Sequence, residues 1–258
     1  MLKEFERIAL AAGEVIMEIY NGDFDVALKG DQSPVTEADQ RAEALILEEL
    51  KKQFSDIPVI AEEEVAAGRI PELQNGTFIL VDPLDGTKEF INKREDFTVN
   101  IALIDNGVPV AGVVYAPARK VAYSGADGGA EKLVIGENGD VISREPISTR
   151  KINGNMIAVA SRSHNSPETM AFLEEKRITE YKSVGSSLKF CLIAEGEADV
   201  YPRYGRTMEW DTAAGDAVLR AAGGSTVNVD GTVFVYGKRN QPHDADFANP
   251  HFIAWGRV

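Results

Sequence analysis

The first part of the chain shows the apolar spacing of two amphipathic helices. Along residues 2–20 apolar side chains recur every three or four positions, which predicts one helix. A second helix is predicted over about residues 36–54, where Thr36 is the expected N-cap and Asp39 the acid of a capping box. Residues 23–35 between the two helices contain glycine and proline, so we expect a loop or a weakly extended segment there.

Short apolar or alternating runs follow the second helix and predict strands. They lie at residues 58–61, 78–81, 97–104, 108–115, 121–124 and 131–135. The run at 78–81 has the character of a buried strand, and we expect it to end at Asp82-Pro83. The segment Asp105-Asn106-Gly107 joins two alternating runs and indicates a β-hairpin.

The chain changes character after about residue 150. Predicted strands at 157–160 and 199–202 now alternate with predicted helices at about 167–176, 186–196 and 209–222. This alternation is typical of an α/β unit, whereas the preceding part combines helices with a run of strands. We therefore expect an α+β part over residues 1–150 and an α/β part over residues 151–258, packed tightly together with a site between them.

Composition narrows the classes of protein. Of the 258 residues 44% are hydrophobic and 26% charged, which is ordinary for a globular protein. The net charge of −14 argues against binding a nucleic acid polymer, because phosphate backbones need clustered Lys and Arg. Cys191 is the only cysteine, so no internal disulfide can form. No signal peptide or long apolar span is recognisable, and we expect a cytoplasmic protein without a transmembrane segment.

The segment Asp82–Thr87 is the first candidate for chemistry. Asp82 and Asp85 stand three residues apart after a predicted buried strand, with Pro83 restraining the turn and Gly86 permitting unusual backbone angles. Two carboxylates on such a turn can face one point and hold a hard cation such as Mg²⁺, which accepts partial coordination by protein. Taken alone, however, the pattern favours a capped loop over a metal site.

Four segments together resemble a known family. Residues 82–87 (Asp-Pro-Leu-Asp-Gly-Thr) resemble the signature of the inositol monophosphatase superfamily, the lithium-sensitive magnesium phosphatases. Residues 33–39, 62–64 and 210–215 resemble three further motifs of that superfamily in the right order. The resemblance implies a five-layer αβαβα sandwich of the inositol monophosphatase and fructose-1,6-bisphosphatase type. It also implies that residues 1–150 bind metal and residues 151–258 bind substrate.

Further segments favour one branch of the superfamily. Residues 87–90, 97–100, 161–164 and 185–190 resemble the bacterial 3′(2′),5′-bisphosphate nucleotidases. The implied reaction converts adenosine 3′,5′-bisphosphate, a by-product of sulfate activation, to AMP and phosphate. The alternatives are an inositol-1-monophosphatase or another sugar phosphatase and, more remotely, a metal-binding regulatory protein without catalysis. Peripheral association with the inner membrane is suggested for some relatives and stays open as an alternative here, although the sequence shows no basic amphipathic helix that would explain it.

The resemblance also implies roles for single residues. Two or three Mg²⁺ ions per site would be held by Glu62, Asp82, the backbone carbonyl of Leu84, Asp85 and Asp211. Glu63 is the fallback for Glu62. The catalytic residues would be Asp39, Thr87 and Glu62, the first two positioning and activating the attacking water. The phosphorylated nucleotide would contact Gly86, Thr87, Ser161, His164, Gly185, Ser186 and Lys189.

Overall fold

The computed structural model describes residues 1–30, 34–73, 76–152, 154–160 and 166–257. These residues form seven α-helices: α1 (Leu2–Tyr20), α2 (Glu37–Gln53), α3 (Glu62–Ala66), α4 (Thr87–Ile91), α5 (Pro167–Glu175), α6 (Leu188–Ala194) and α7 (Glu209–Ala221). The strands are β1 (Val26–Leu28), β2 (Pro34–Thr36), β3 (Val59–Ala61), β4 (Thr77–Asp85), β5 (Thr98–Asp105), β6 (Val108–Ala116), β7 (Val121–Ala126), β8 (Gly129–Ile135), β9 (Val141–Ile147), β10 (Ile157–Ala160), β11 (Glu180–Ser183), β12 (Val200–Arg203), β13 (Ser225–Asn228) and β14 (Phe252–Trp255). None of the helices within these ranges is long and apolar enough to cross a membrane.

Most of the strands belong to two sheets, one of seven strands and one of five. The first has the order β3-β4-β5-β6-β7-β8-β9, with β3 parallel to β4 and every other neighbouring pair antiparallel. The second has the order β11-β10-β12-β14-β13, with β10 parallel to both β11 and β12. A small antiparallel pair, β1-β2, stands apart from both sheets. The parallel β10, β11 and β12 with their intervening helices form the predicted α/β unit.

The alternation of side chains along the strands divides the core into layers. Ile79 and Val81 of β4 pack with α1 and α2, whereas Phe78 and Leu80 point to the opposite face and pack with α6 and α7. The same two helices cover one face of the second sheet, and α5 covers its other face around Phe172. The sequence of layers is therefore α1/α2, first sheet, α6/α7, second sheet, α5, which confirms the predicted αβαβα sandwich.

Local signals placed several elements correctly. Thr36 is the N-cap of α2, and Asp39 completes the capping box. Asn106 and Gly107 both have positive φ, as the two-residue turn of the predicted hairpin requires. One boundary was wrong: β4 does not end at Asp82-Pro83 but continues to Asp85 through a register shift.

Apart from β1 and β2, which lie largely in the segment expected to be a loop or weakly extended, four strands were not predicted from the sequence. β11 is an exposed edge strand, and every residue of β9 is half-buried or exposed, so neither strand shows a clear apolar pattern. β13 and β14 are four residues long and gain their hydrogen-bonding partners from distant parts of the chain. The boundary near residue 150 stays a prediction. The chain does cross from the first sheet to the second between β9 and β10, yet α6 and α7 pack against both sheets.

Candidate functional site

A bulge at the end of β4 brings two acids to one face of the sheet. Asp82 pairs with Asn100 of β5 and Asp85 with Thr98, so three steps on β4 oppose two steps on β5. In a regular strand residues three apart point to opposite faces, but one extra residue restores a common face. Gly86 follows with φ of +93°, a left-handed conformation that glycine adopts without a Cβ penalty.

Two neighbouring elements bring further acids to this point. Because β3 runs parallel to β4, with Ala61 opposite Val81, Glu62 leaves β3 beside Asp82. Asp211 lies in the first turn of α7 and accepts a hydrogen bond from the Met208 N–H at 2.8 Å. Carboxylate oxygens of Glu62, Asp82 and Asp211 all lie within 4.8 Å of one another. Such a cluster of oxygen ligands suits a hard divalent cation.

The pKa values of these acids also indicate a site for a cation. Burial, followed by the neighbouring carboxylates, raises the pKa of Asp82 and of Asp211 well above the usual range. Burial also raises the pKa of Asp85 to about 6, although Lys189 opposes the shift. The one ammonium directly at Glu62 among the described residues is Lys29, whose Nζ lies 2.6 Å from Glu62 and 2.5 Å from Glu63. Crowded buried carboxylates of this kind are stabilised by a bound cation.

Asp39 and Thr87 meet beside the acids. Thr87 Oγ1 lies 3.2 Å from Asp39 Oδ1 and 3.2 Å from the carbonyl oxygen of Leu84. The other oxygen of Asp39, Oδ2, accepts hydrogen bonds from the N–H and the hydroxyl of Thr36, each at 2.8 Å. Burial raises the pKa of Asp39, and the two hydrogen bonds from Thr36 oppose this shift. The Asp39 carboxylate is therefore held in one orientation, with its other oxygen, Oδ1, directed at the Thr87 hydroxyl.

A cleft of about 400 Å³ opens from the acids toward a basic wall. Lys189 is buried there, and its Nζ donates to the carbonyl of Ser186 at 2.7 Å. Burial lowers the pKa of Lys189 to about 8, with Asp85 opposing the shift. The Arg203 guanidinium donates to the carbonyls of Gly205 and Arg206. Within the part of the chain that the structure describes, no carboxylate lies within 4.0 Å of either cation, so both are available to an anionic ligand.

The loop before α6 is fixed to the acidic side of the cleft. The Ser187 N–H donates to Asp85 at 2.6 Å, and the Gly185 N–H donates to Asp96 at 3.0 Å. A Cβ on Gly185 would lie 2.7 Å from the Asp96 side chain, so only glycine fits at this position. Ser186 between them has φ of +49°, and its buried hydroxyl oxygen has no hydrogen-bond partner among the described residues. A strained residue with an unpartnered polar atom at a cleft is a candidate ligand contact.

Most of the predicted site residues are thus brought together. Glu62, rather than the fallback Glu63, stands with Asp82 and Asp211, whereas Asp85 lies beside this set with its Oδ2 at Ser187. Gly86, Thr87, Gly185, Ser186 and Lys189 line the cleft, and the Leu84 carbonyl oxygen lies 3.2 Å from Thr87 Oγ1. The predictions for Ser161 and His164 lie outside the described residues.

Sequence reasoning missed part of the basic wall. Tyr201, Arg203, Arg206 and Thr207 also line the cleft. The signal was available for Arg203, because it directly follows the strand predicted at 199–202, and residues at the carboxyl end of a strand in an α/β unit often face the ligand crevice. Arg206 lies in a loop and carried no such signal.

Comparisons with known proteins agree with this geometry. The model of the inositol monophosphatase family matches residues 1–250. The 3′(2′),5′-bisphosphate nucleotidase CysQ of Salmonella typhimurium is 44% identical over 98% of each chain. The enzyme of the same name from Escherichia coli K12 is 43% identical over the same share.

Solved structures show the same fold. The crystal structure of CysQ from Bacteroides thetaiotaomicron, described as a bacterial member of the inositol monophosphatase family, is 38% identical. It superposes with a TM-score of 0.80 and covers 100% of this chain and 97% of that one. An inositol monophosphatase from Anabaena is 25% identical with a TM-score of 0.74, covering 99% of this chain and 90% of that one.

Proposed function

Because the chain belongs to the inositol monophosphatase family, we propose that it is a magnesium-dependent 3′(2′),5′-bisphosphate nucleotidase that converts adenosine 3′,5′-bisphosphate to AMP and phosphate. One observation carries the proposal. A single cleft is lined by the acids Glu62, Asp85 and Asp211 and by two cations, Lys189 and Arg203, which have no carboxylate within 4.0 Å among the described residues. The acids alone would suit any phosphomonoester that binds together with a metal ion. The two cations at the other end of the cleft suit a substrate that carries a second anionic group. The high coverage by named bisphosphate nucleotidases supports the same substrate class.

The residues present fit a divalent cation. Glu62, Asp82, Asp85, Asp211 and the Leu84 carbonyl offer oxygen atoms only, which is the ligand type that Mg²⁺ prefers. Bound Mg²⁺ supplies positive charge for the phosphate and lowers the pKa of a coordinated water. We propose two or three such ions per site, because the buried Asp82 and the half-buried Glu62 and Asp211 form one set with Asp85 beside it. The raised pKa values of Asp82 and Asp211 support this, since burial and the neighbouring carboxylates outweigh the groups that stabilise their charged forms.

Asp39 and Thr87 orient the attacking water. A hydroxyl has a single proton, and Thr87 can donate it to Asp39 Oδ1 at 3.2 Å. The lone pairs of Thr87 Oγ1 then accept from a water, whose own lone pair is directed at phosphorus. Asp39 keeps its orientation because Thr36 binds its other oxygen twice. No serine or cysteine nucleophile is needed in this arrangement, and Cys191 is buried within α6.

The substrate phosphates are held at the two ends of the cleft. The backbone N–H groups of Gly86 and Thr87, at the start of α4 and in the lining of the cleft, would donate to the phosphate that is hydrolysed. Lys189 and Arg203 hold the second phosphate, and the Ser186 hydroxyl, which has no partner within the described part of the chain, adds a donor. A substrate with a single phosphate leaves the basic end unused, so it binds less tightly.

Phosphate release from adenosine 3′,5′-bisphosphate tests the proposal directly. We expect turnover with Mg²⁺, none after chelation, and inhibition by Li⁺, as the family resemblance implies. A substrate panel with inositol 1-phosphate at equal concentration is the control for substrate class. Faster turnover of inositol 1-phosphate would overturn the nucleotidase assignment while retaining the phosphatase. Normal Mg²⁺ binding without hydrolysis of any phosphomonoester would leave only a metal-binding regulatory protein.

A further inference from the structure

One buried acid near the site has no role in the chemistry above. Glu43 of α2 is 3% exposed, and its Oε2 accepts a hydrogen bond from the Glu63 N–H at 2.8 Å. It is absent from the lining of the substrate cleft among the described residues, and it instead lines a separate cleft of about 440 Å³. Glu43 therefore cannot touch the substrate from this position, and any effect on the reaction must pass through another residue.

The bond to Glu63 holds a helix that cannot cap itself. α3 begins at Glu62, and its first N–H groups have no partner within the helix. Its N-cap is Ala61, whose methyl group cannot accept a hydrogen bond. Glu43 supplies the missing acceptor from α2, at the peptide N–H directly after Glu62. The direction in which the Glu62 side chain leaves the backbone depends on this peptide.

The same helix also positions the acid that orients the water. Asp39 and Glu43 are four residues apart on α2, which places them one turn apart on the same face. Asp39 faces Thr87, and Glu43 faces the backbone that carries Glu62. α2 itself packs against both β4 and α3. A single rigid helix thus sets the spacing between the water-orienting pair and one member of the acidic set.

We propose that Glu43 is a positioning residue, whose carboxylate binds the Glu63 N–H and thereby fixes Glu62 in the arrangement that binds the cation. This inference rests on the proposed function only for the identity of the cation. Outer groups that orient metal ligands typically change metal affinity about 10–100-fold when they are replaced. The expected consequence of losing Glu43 is therefore weaker cation binding, with the chemical step largely retained once the site is saturated.

Three variants separate the hydrogen bond from the charge. Glu43→Leu removes the acceptor, Glu43→Gln removes the charge but keeps an acceptor oxygen, and Glu43→Asp keeps the charge on a shorter side chain. Mg²⁺ binding is measured by isothermal titration calorimetry without substrate, together with the Mg²⁺ dependence of phosphate release. We expect the leucine variant to weaken Mg²⁺ binding about 10–100-fold and to keep most of kcat at saturating Mg²⁺. The glutamine variant should stay within about threefold of the wild type, because the acceptor remains.

A rescue variant tests the hydrogen bond itself. Ala61 has φ of −122° and ψ of 146°, the extended conformation in which a serine hydroxyl accepts from the second or third N–H of the helix. Ala61→Ser added to Glu43→Leu therefore offers the Glu63 N–H a new acceptor, and we expect it to recover much of the lost Mg²⁺ affinity. If the leucine variant does not fold, the same comparison of Mg²⁺ affinity is made between Glu43→Asp alone and Glu43→Asp combined with Ala61→Ser.

The matched control is a buried acid away from the site. Glu6 is also 3% exposed and bonds to Arg144. Glu6→Leu should lower the melting temperature without changing Mg²⁺ affinity. Wild-type Mg²⁺ affinity in Glu43→Leu and Glu43→Asp, or an equal loss in Glu6→Leu, would overturn the inference. Absence of nucleotidase turnover in the wild type, with the Mg²⁺ shifts as expected, would overturn the proposed function and leave this inference standing.

Discussion

Replacing Asp82 by asparagine should stabilise the protein without metal and abolish its function with metal. Asp82 is 1% exposed, and its Oδ1 accepts the Leu84 N–H at 3.0 Å, a bond that an asparagine oxygen can keep. The replacement therefore removes a charge while preserving shape and hydrogen bonding. The charge removed lies within 4.8 Å of two further carboxylates, those of Glu62 and Asp211.

The size of the effect follows from this spacing. At 4.8 Å and an effective dielectric constant of about 20, two like charges repel by about 3 kcal/mol. Protonation of Asp82 already relieves part of this repulsion, because its pKa is raised. We therefore expect a gain of about 2 kcal/mol for the metal-free variant at pH 8, or about 4–8 °C in Tm.

The sign of the pH dependence is fixed by the raised pKa. An acid whose pKa is higher in the folded state binds its proton more tightly there than in the unfolded state. Its protonated form therefore favours folding at low pH, and this contribution to the free energy of unfolding is lost as pH rises through the folded pKa. For Asp82 the loss begins near the ordinary carboxyl value of about 4, so the advantage of asparagine is small at pH 5 and grows toward pH 8.

Differential scanning calorimetry with EDTA at pH 5 and pH 8 measures the difference. Added Mg²⁺ should stabilise the wild type by about 2.7 kcal/mol at one hundred times its Kd and the variant far less. Turnover by the variant should fall to background. Asp199→Asn is the control, because Asp199 is buried, is paired with Arg150 and has a lowered pKa, so the loss of its charge should destabilise at both pH values. A variant at Asp82 less stable than the wild type in EDTA at pH 8 would refute the reasoning.

Three further predictions concern the cleft. Thr87→Val should lower kcat by about 10²–10⁴-fold with little change in KM, because Asp39 then has no hydroxyl to orient, and Thr87→Ser should retain most of kcat. Lys189→Met should lower kcat/KM for adenosine 3′,5′-bisphosphate about 10–100-fold and for inositol 1-phosphate much less. In the wild type, KM for the bisphosphate should rise above pH 8, because the pKa of Lys189 is lowered to about 8 and its positive charge is lost there. Gly86→Ala should lose about 1–3 kcal/mol of stability and most activity, because φ is +93° and the added Cβ would lie 2.9 Å from the carbonyl oxygen of Asp96; an unchanged Tm would contradict this.

The sequence determined the elements that depend on neighbouring residues. The capping box of Thr36 and Asp39 and the turn at Asn106-Gly107 are local hydrogen-bond and backbone patterns, so their residue types predicted them. The long amphipathic helices followed from apolar spacing for the same reason. The acids of the site were also identifiable, because Asp82 and Asp85 stand at the end of a buried strand and their motif resembles a known family.

Only the tertiary structure decided how these acids face one another. The bulge that puts Asp82 and Asp85 on one face arises from the register between β4 and β5, which no local pattern encodes. The sequence already favoured Glu62 over Glu63, and the parallel pairing of β3 with β4 places Glu62 beside Asp82. Arg203 gains its importance by lining the same cleft as Glu62 and Asp85, and Glu43 by accepting a hydrogen bond from Glu63 of another helix. The sequence supplied residues able to bind a cation, whereas the geometry that gathers them depends on long-range strand pairing and helix packing.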